Sequence, residues 1–432
     1  MTRIKSTLLF IVLAVLVFPA LQKCFHFITP APLEGYFQPS PRPDFSLASL
    51  CSGEFQQTMS PHIERTTGFH ENFVRIFNQA DFTFFSIPHA AKIIIGKNNL
   101  LQADSHVDAY LGRDFAGKRF LDDKIERIRY LQDYLRQEKG ILLLVVLAPG
   151  KGFYYPESIP ARYLERKKST TNQDYFASGL EKNGINLIDF NRWFLGMKDT
   201  SRQVLYPKTG IHWSTFGATL CADSLIRYLE SALHRRLPHP GVEKWVTMQR
   251  ADKEDDDMDR VLNLLWKIPV PPMTYPVFRF NAADTTRKPA VLFISDSFYW
   301  NWQHTGIIRN TFSRGDMWYY DKEVYPAPAG GPLNTAEVGL DSAISRQEVV
   351  ILMQTNAGYG NIGYGFVDRA YEYYYRGMTP VKRIEANYRA NPALMDIMRK
   401  KAADQHLPVE SVLYTDAVFL YNTELKRLSK YN

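Results

Sequence analysis

Two short polar segments contain the residues whose types and spacing could do chemistry. Ser295-Asp296-Ser297 ends an uninterrupted apolar run, and His212 precedes it in a loop that contains Pro207 and Gly210. A serine hydroxyl becomes a nucleophile when a histidine accepts its proton, and the acyl-enzyme that forms passes its acyl group to water or to another hydroxyl. We therefore predict Ser297 as the nucleophile and His212 as its base, and the expected chemistry is acyl transfer.

The apolar run determines where the serine would lie. Residues 291–294 have the composition of a central strand buried on both faces of a parallel sheet. Ligands of open α/β sheets bind beyond the carboxyl ends of the strands, so Ser297 would lie at that rim, before a helix over 298–309. Its N–H and the helix N-terminus would favour negative charge on an attacked carbonyl oxygen. The competing interpretation is that Asp296 and Ser297 only cap this helix.

The remaining patterns describe the elements that would position these residues. Ser214 is predicted to cap the helix that directly follows His212. Apolar runs indicate strands, and amphipathic stripes indicate helices, in a β-α-β-α-β alternation that predicts an α/β fold with a doubly wound parallel sheet. The strands are predicted over 93–95, 141–147, 185–188 and 349–353, and the helices over 62–86, 118–137, 172–182 and 214–235.

Two further side chains, Asp296 and Asn356, follow predicted strands and could support the pair or its oxyanion. Asn356 comes after the strand over 349–353 and would help the Ser297 N–H to bind the oxyanion, although asparagine also ends strands in ordinary turns. Several aromatic residues in the predicted loops could stack on sugar rings or belong to the core, and they are left out of the predicted catalytic set. They are Tyr154, Tyr155, Trp300, Trp302, Tyr359 and Tyr364.

The composition of the 432-residue chain excludes several classes of function. Its formal charge of +7 is not concentrated in basic blocks, so we predict no nucleic-acid partner. Three cysteines are too few and too scattered for a disulfide framework, and no pattern of metal ligands is present, so we predict no metal and no cofactor. The acidic run over 252–259 is most simply a solvated loop.

The N-terminus has the pattern of an export signal. Arg3 and Lys5 precede an apolar stretch over 8–21, and no small-x-small cleavage site follows it. Lys23 directly before Cys24 makes a poor lipoprotein-processing site, so an uncleaved anchor with the body outside is favoured.

This leader suggests a four-part organisation of the chain. Residues 1–28 are the signal peptide or membrane anchor, and the Pro-rich residues 29–61 are a linker. Residues 62–375 form the catalytic domain, and residues 376–432 form a C-terminal tail in which two short helices are separated near Pro408.

The two polar segments also resemble a known family. Gly210-Ile211-His212-Trp213-Ser214, followed by Ser295-Asp296-Ser297-Phe298, is similar to the paired motifs of alginate O-acetyltransferases of the AlgX and AlgJ type, which are SGNH-hydrolase-like proteins. Supporting similarity lies in residues 95–100, 148–151 and 155–160. The resemblance implies a periplasmic enzyme that takes an acyl group onto serine and passes it to a polysaccharide hydroxyl. It also implies a membrane-bound O-acyltransferase as the partner that supplies the acyl group.

The sequence departs from the family pattern at two positions. The family's aspartate falls at Gly210, and the glycine of its Gly-Asp-Ser motif falls at Ser295. Loss of the aspartate of a serine triad can lower kcat by about 10⁴-fold. Either Ser297 and His212 work as a dyad, or a carboxylate from elsewhere, such as Asp189 at a strand end, orients the imidazole.

Three hypotheses remain from the sequence. The leading one is an anchored O-acetyltransferase that modifies an extracytoplasmic polysaccharide in the periplasm or cell envelope. An esterase that removes acetyl groups would use the same Ser297 and His212. A protein that keeps the fold only to bind glycan or to scaffold an export complex would account for the missing aspartate.

Overall fold

The computed structural model describes residues 2–35, 42–165, 168–280 and 287–429. Their contacts divide the chain into two compact units. The N-terminal unit comprises the residues up to Ile95 together with Asp256–Pro269, and the sheet unit comprises Gly96–Asp255 and the residues from Val270 onward. Pro39 and Pro41 of the predicted linker lie outside the described residues.

The sheet unit is built on seven strands in the order β10-β9-β8-β7-β11-β3-β4. The five strands from β8 to β4 are parallel to their neighbours, whereas β9 and β10 run antiparallel at one edge. The strands of the described residues, four of which lie outside this sheet, are β1 Ile93–Ile95, β2 Leu101–Ala103, β3 Leu142–Ala148, β4 Leu187–Asp189, β5 Gly241–Met248, β6 Met273–Arg279, β7 Ala290–Ser295, β8 Arg314–Tyr319, β9 Glu323–Tyr325, β10 Leu333–Asn334 and β11 Val349–Thr355.

Helices cover both faces of this sheet. The helices of the chain are α1 Thr2–Phe25, α2 Leu47–Ser52, α3 Glu54–Thr66, α4 His70–Phe85, α5 Asp104–Leu111, α6 Lys118–Lys139, α7 Lys151–Tyr154, α8 Ala161–Leu164, α9 Asn172–Lys182, α10 Phe190–Met197, α11 Thr215–Leu233, α12 Asp257–Val261, α13 Tyr299–His304, α14 Ile307–Thr311, α15 Leu340–Ser345, α16 Phe366–Tyr374, α17 Pro380–Ala390, α18 Pro392–Gln405 and α19 Val409–Ser429.

The central strands are apolar on both faces because each face has its own core. In β7, Leu292 and Ile294 pack with α6, α9 and α16, whereas Val291 and Phe293 pack with α10, α11 and α13 on the opposite face. This alternation is the two-residue period of a strand covered on both sides. The predicted buried strand is thereby confirmed, and its carboxyl end lies in the middle of the sheet, between β8 and β11.

The predicted α/β fold with a doubly wound parallel sheet is confirmed, and two antiparallel strands, β9 and β10, add to one edge of that sheet. Strands β9 and β10 are three and two residues long and only partly buried. Short edge strands need no continuous apolar run, so the pattern that revealed β3, β7 and β11 gave no signal for them.

Two predicted helices are broken into shorter ones. The helix predicted over 62–86 is interrupted between α3 and α4, where Phe69 has a left-handed backbone with φ of 65°. The helix predicted over 298–309 becomes α13 and α14, which are separated by Gly306 with φ of 79°. Apolar spacing continues across both breaks, so it could not locate them.

Helices also begin inside the predicted linker. Ser46 caps α2 in a reciprocal capping box with Ser49, and α3 follows directly. The predicted tail contains three helices, α17 to α19, and α19 is fixed to α6 because Lys124 Nζ donates to Asn422 Oδ1 at 2.9 Å. The same lysine lies 2.5 Å from Asp368 Oδ1 of α16, in a buried charge cluster.

Candidate active site

The structure brings the predicted nucleophile and base together. His212 Nε2 lies 2.8 Å from Ser297 Oγ, which is hydrogen-bonding distance for proton transfer. Ser297 follows the carboxyl end of β7, and His212 lies just before α11, whose cap Ser214 accepts the Gly217 N–H at 2.9 Å. The strand end and the helix cap thus fix the two partners from different elements.

The Asp296 carboxylate holds the turn that carries Ser297. Its buried carboxylate accepts the Phe298 N–H at 3.1 Å, the Thr355 N–H at 2.8 Å and the Thr355 hydroxyl at 3.1 Å. Burial raises the pKa of Asp296, and the hydrogen bonds from Thr355 and Phe298 oppose that rise. These bonds join the turn after β7 to the end of β11, so Asp296 fixes the backbone conformation at Ser297.

Asn356 lies buried at the carboxyl ends of the strands, beside a residue that the sequence did not indicate. Its Nδ2 lies 3.4 Å from Asn191 Oδ1, and the Gly150 N–H donates to the same oxygen at 3.2 Å. A Cβ at Gly150 would stand 2.0 Å from Asn356 Oδ1, so only glycine permits this approach. Asn191 follows a polar strand end in sequence, and that position was its only signal.

Gly210 occupies the position of the family's aspartate, and the structure has no room for a side chain there. A Cβ at Gly210 would stand 2.9 Å from Pro207 Cγ and 3.0 Å from the backbone carbonyl of Asp255. Asp255 accepts the Thr209 hydroxyl on its carbonyl at 3.0 Å and the Thr215 N–H on Oδ1 at 3.0 Å. Asp255 therefore holds the His212 loop on both sides.

This finding corrects the interpretation of the acidic run. Asp255 is fully buried and Asp259 is only 3% exposed, so residues 252–259 are not simply a solvated loop. A charge run gives no indication of burial when its carboxylates bind backbone groups, as Asp255 does at the start of α11.

Asp189, the proposed replacement carboxylate, caps its own helix. It accepts the Arg192 N–H at 2.8 Å, and its other oxygen lies 3.7 Å from Arg192 Nε. Burial raises the pKa of Asp189, and the Arg192 contacts oppose that effect. None of its contacts among the described residues is with His212.

Lys151 is a buried cation beneath the histidine loop. Its Nζ donates to the Gly210 carbonyl at 2.7 Å and to the Lys208 carbonyl at 3.0 Å. A fully buried ammonium is unfavourable without such partners, so the two bonds fix the backbone on the N-terminal side of His212. The sequence placed Lys151 directly after a strand end, but its role depends on a loop distant in sequence.

His106 is a second histidine near the His212 and Ser297 pair, and the sequence gave no reason to select it. Its Nδ1 accepts the Lys151 N–H at 2.9 Å, so Nε2 carries the ring hydrogen. Its ring is nearly parallel to that of Phe298, at 6.4 Å between centroids, and the His212 ring packs against Phe298 at 4.9 Å. Burial, Lys151 and His212 lower the pKa of His106 to about 3.

The acidity of His106 predicts how stability depends on pH. Its pKa is about 3 in the folded chain and 6.5 ordinarily, so the unfolded chain binds this proton first as the pH falls. The folded state should lose about 2 kcal/mol from this group between pH 7 and pH 5. His106→Asn keeps an acceptor for the Lys151 N–H but has no imidazole.

Urea unfolding at pH 7 and pH 5 measures this contribution. The stability of His106→Asn should fall less between the two pH values than that of the wild type. His304→Asn, at a half-exposed histidine, is the matched control and should follow the wild type. Equal pH dependence in the wild type and His106→Asn would contradict a neutral, buried His106.

Tyr320 completes the surroundings of Ser297 from the end of β8. It has a left-handed backbone with φ of 52°, which is strained for a bulky residue, and its N–H donates to the Ser295 carbonyl at 2.9 Å. Burial and the Asp296 charge raise the pKa of Tyr320, while hydrogen bonds from Ser297 lower it. The next residue, Asp321, pairs with Arg369 at 2.6 Å and holds this turn.

The six aromatic residues considered for sugar stacking divide into buried and partly exposed residues. Tyr154, Trp302 and Tyr359 are at most 4% exposed and pack in the interior, and the Trp302 indole N–H donates to the Ala218 carbonyl at 2.8 Å. The other three, Tyr155, Trp300 and Tyr364, are partly exposed.

Comparison with known families agrees with this geometry. Residues 110–314, which contain both His212 and Ser297, match a family described as SGNH hydrolase-like domain, acetyltransferase AlgX. Over this range the chain is similar to the SGNH hydrolase-like domain of AlgX-type acetyltransferases. The resemblance drawn from the two motifs is thereby confirmed. No curated protein matches the chain.

Several solved structures are similar to parts of this chain. The O-acetyltransferase domain of Pseudomonas putida AlgJ is 16% identical, with a TM-score of 0.42 over 62% of this chain and 92% of its own. Bacillus cereus PatB1 is 12% identical, with a TM-score of 0.40 over 58% and 94%. Pseudomonas aeruginosa AlgX is 14% identical, with a TM-score of 0.39 over 64% and 66%.

Proposed function

We propose that this protein is an O-acetyltransferase that modifies hydroxyl groups of an extracytoplasmic polysaccharide through an acetyl-Ser297 intermediate. The observation that carries the proposal is the 2.8 Å contact between His212 Nε2 and Ser297 Oγ inside an AlgX-type domain. A serine without a base is a weak nucleophile, and this contact supplies the base.

The first half-reaction forms the acetyl-enzyme. Ser297 Oγ attacks the carbonyl carbon of the donor ester while His212 Nε2 takes the hydroxyl proton. The tetrahedral intermediate then collapses, the ester C–O bond breaks, and His212 returns the proton to the departing oxygen. In the second half-reaction an acceptor hydroxyl gives its proton to His212 and attacks the acetyl carbonyl. The bond between Ser297 Oγ and the acetyl carbon then breaks, and His212 returns the proton to Ser297 Oγ.

The oxyanion of both steps needs hydrogen-bond donors. The Ser297 N–H is one, and the His106 Nε2–H is a second in this mechanism. His106 Nε2 donates to no acceptor among the described residues. It is not completely enclosed by protein, because it is absent from the fully buried polar atoms that lack a partner. A neutral imidazole with its hydrogen fixed on Nε2 donates without competing with His212 for the proton.

The missing aspartate changes how the base is held. In place of a carboxylate at position 210, the His212 loop rests on Lys151 Nζ and on Asp255, which bond to residues 208, 209, 210 and 215. These bonds fix the backbone of the loop, and they favour a Ser297–His212 dyad.

The cellular setting belongs to the same proposal. The helix Ile4–Phe25 is long and apolar enough to cross a membrane and lies near the N-terminus, which supports an anchor with the body in the periplasm. An acetyl donor made in the cytoplasm must then be carried across, so a membrane-bound O-acyltransferase is the proposed supplier.

A partition experiment tests transfer against hydrolysis. The full chain in detergent is given p-nitrophenyl acetate with increasing concentrations of a neutral or uronic-acid oligosaccharide. An acetyltransferase yields acetylated oligosaccharide at the expense of acetate, and the rate of p-nitrophenol release stays constant or rises. His212→Ala should abolish both products.

Two outcomes would contradict the proposal. Acetate as the only product at every acceptor concentration would assign the site to an esterase. No turnover of any ester, together with retained glycan binding, would assign the protein to a non-catalytic scaffold.

A further inference from the structure

Helix α4 of the N-terminal unit exposes most of its large apolar side chains. Phe73, Ile76, Phe77 and Phe84 are 46%, 51%, 58% and 77% exposed. With 3.6 residues per turn these four positions fall within an arc of about 100°. A water-exposed helix normally has the opposite arrangement, with its apolar stripe toward the core. We call these four residues the α4 stripe.

The protein-facing side of α4 shows the inversion directly. Asn78 and Phe82 are its buried residues, and they lie roughly opposite the stripe. The Asn78 amide donates to the Leu262 carbonyl at 2.9 Å, so α4 buries an amide and one phenylalanine while its other four phenylalanines stay exposed. Exposed apolar patches of this kind mark surfaces that are covered in the working protein.

Two more exposed apolar residues extend the stripe. Leu265 and Trp266 are 41% and 69% exposed, and the Trp266 N–H donates to Gln79 Oε1 on α4 at 3.1 Å. Tryptophan is enriched where membranes meet water, because its large ring is apolar and its N–H is polar.

The position of α4 next to α1 identifies what covers the stripe. The turn before α4 packs on the C-terminal end of α1: a Cβ at Gly68 would stand 2.1 Å from the Pro19 carbonyl oxygen. The Phe18 and Phe69 rings lie 5.1 Å apart, and Lys23 Nζ donates to the Thr66 hydroxyl at 2.9 Å.

The length of α1 indicates where this contact lies relative to a bilayer. The 22 residues Ile4–Phe25 span about 33 Å as a helix, close to the hydrocarbon thickness of a bilayer of about 30 Å. If α1 crosses the bilayer, α4 begins at the boundary where α1 leaves it.

We propose that α4 lies on the outer surface of the membrane that α1 spans, with the α4 stripe and Trp266 embedded among the lipid head groups. Amphipathic helices in this position bury one apolar face in the boundary between head groups and acyl chains. The N-terminal unit then lies at the membrane surface. This inference does not depend on the acetyltransferase activity.

Site-specific quenching tests the proposal in the full chain. The background variant is Cys24→Ser, Cys51→Ser and Cys221→Ala, and the protein is placed in phosphatidylcholine–phosphatidylglycerol nanodiscs. An environment-sensitive fluorophore is attached at Phe84→Cys, at Val12→Cys as the position within α1, and at Phe419→Cys as the control. Phe419 is 66% exposed on α19 of the sheet unit.

The expected pattern separates the three positions. Lipid-attached nitroxides near the head groups should quench the Phe84→Cys label, those deep in the chains should quench the Val12→Cys label, and a water-soluble nitroxide should quench the Phe419→Cys label. Quenching of the Phe84→Cys label by the water-soluble nitroxide alone would overturn the proposal. Protection of that label from both quenchers would also overturn it, because it would indicate a protein partner on the stripe.

Discussion

Ser297→Ala is expected to lower ester turnover by about 10⁴-fold or more, the largest effect of any single substitution in this chain. The variant lacks the oxygen that forms the acyl bond, and the neighbouring groups can only assist a nucleophile that is present. Steady-state release of p-nitrophenol measures the loss. The thermal midpoint checks that the fold of the variant is intact. It should stay close to that of the wild type, since one hydroxyl is removed from a partly exposed position.

The chain provides a matched control two residues away. Ser295 Oγ is buried and donates to the Asp296 carbonyl at 3.0 Å, so it has a hydrogen bond of its own and no contact with His212 among the described residues. Ser295→Ala should keep turnover within a few-fold of the wild type. Comparable losses in the two alanine variants would mean that the strand end, and not the Ser297 nucleophile, had been damaged.

His212→Ala is expected to reduce turnover nearly as far as Ser297→Ala does. Without the imidazole, no group at 2.8 Å takes the hydroxyl proton, and the serine remains a weak nucleophile. Residues that act as one unit are not additive, so the double variant Ser297→Ala, His212→Ala should be about as slow as either single one. The measurement is kcat/KM for the three variants with the same ester.

The control for this comparison is a histidine remote from the serine. His239 pairs with Asp223 at 2.8 Å and with Glu230 at 3.2 Å, and His239→Ala should leave kcat/KM unchanged. A double variant whose loss equalled the product of the two single losses would show that Ser297 and His212 act independently, and the dyad would be wrong.

The sequence predicted what depends on local pattern. The β7 run and the loop before α11 identified Ser297 and His212, because buried parallel strands and helix caps leave characteristic residues. Local sequence locates the end of β7 and the start of α11 to within a few positions. Ser297 and His212 could therefore be placed at the same edge of the sheet without knowledge of the strand order.

The supporting residues were not predictable because their roles come from long-range contacts. His106 matters through the Lys151 N–H, and Asp255 matters through residues on either side of His212. Tyr320 lies in a strained turn after β8, which has no uninterrupted apolar run. Side chains of this kind show no periodicity, and an acidic or histidine residue in isolation has the same appearance whether buried or exposed.

Gly210 shows how a departure from a motif gains meaning from the fold. In sequence it reads as a missing catalytic aspartate. In the structure the backbone of Asp255 lies 3.0 Å from the place of a Cβ at Gly210, so the loop in this conformation favours glycine there. Glycine at this position is therefore linked to the contacts that Lys151 and Asp255 make with the loop.

The most direct test of the central claim is to locate the acetyl group. The wild-type chain, mixed briefly with p-nitrophenyl acetate and quenched in acid, is digested and its peptides are examined by tandem mass spectrometry. The account predicts one dominant acetyl group on Ser297, absent in Ser297→Ala and strongly reduced in His212→Ala. Acetyl groups distributed over surface lysines, at equal levels in all three proteins and without modification of Ser297, would contradict it.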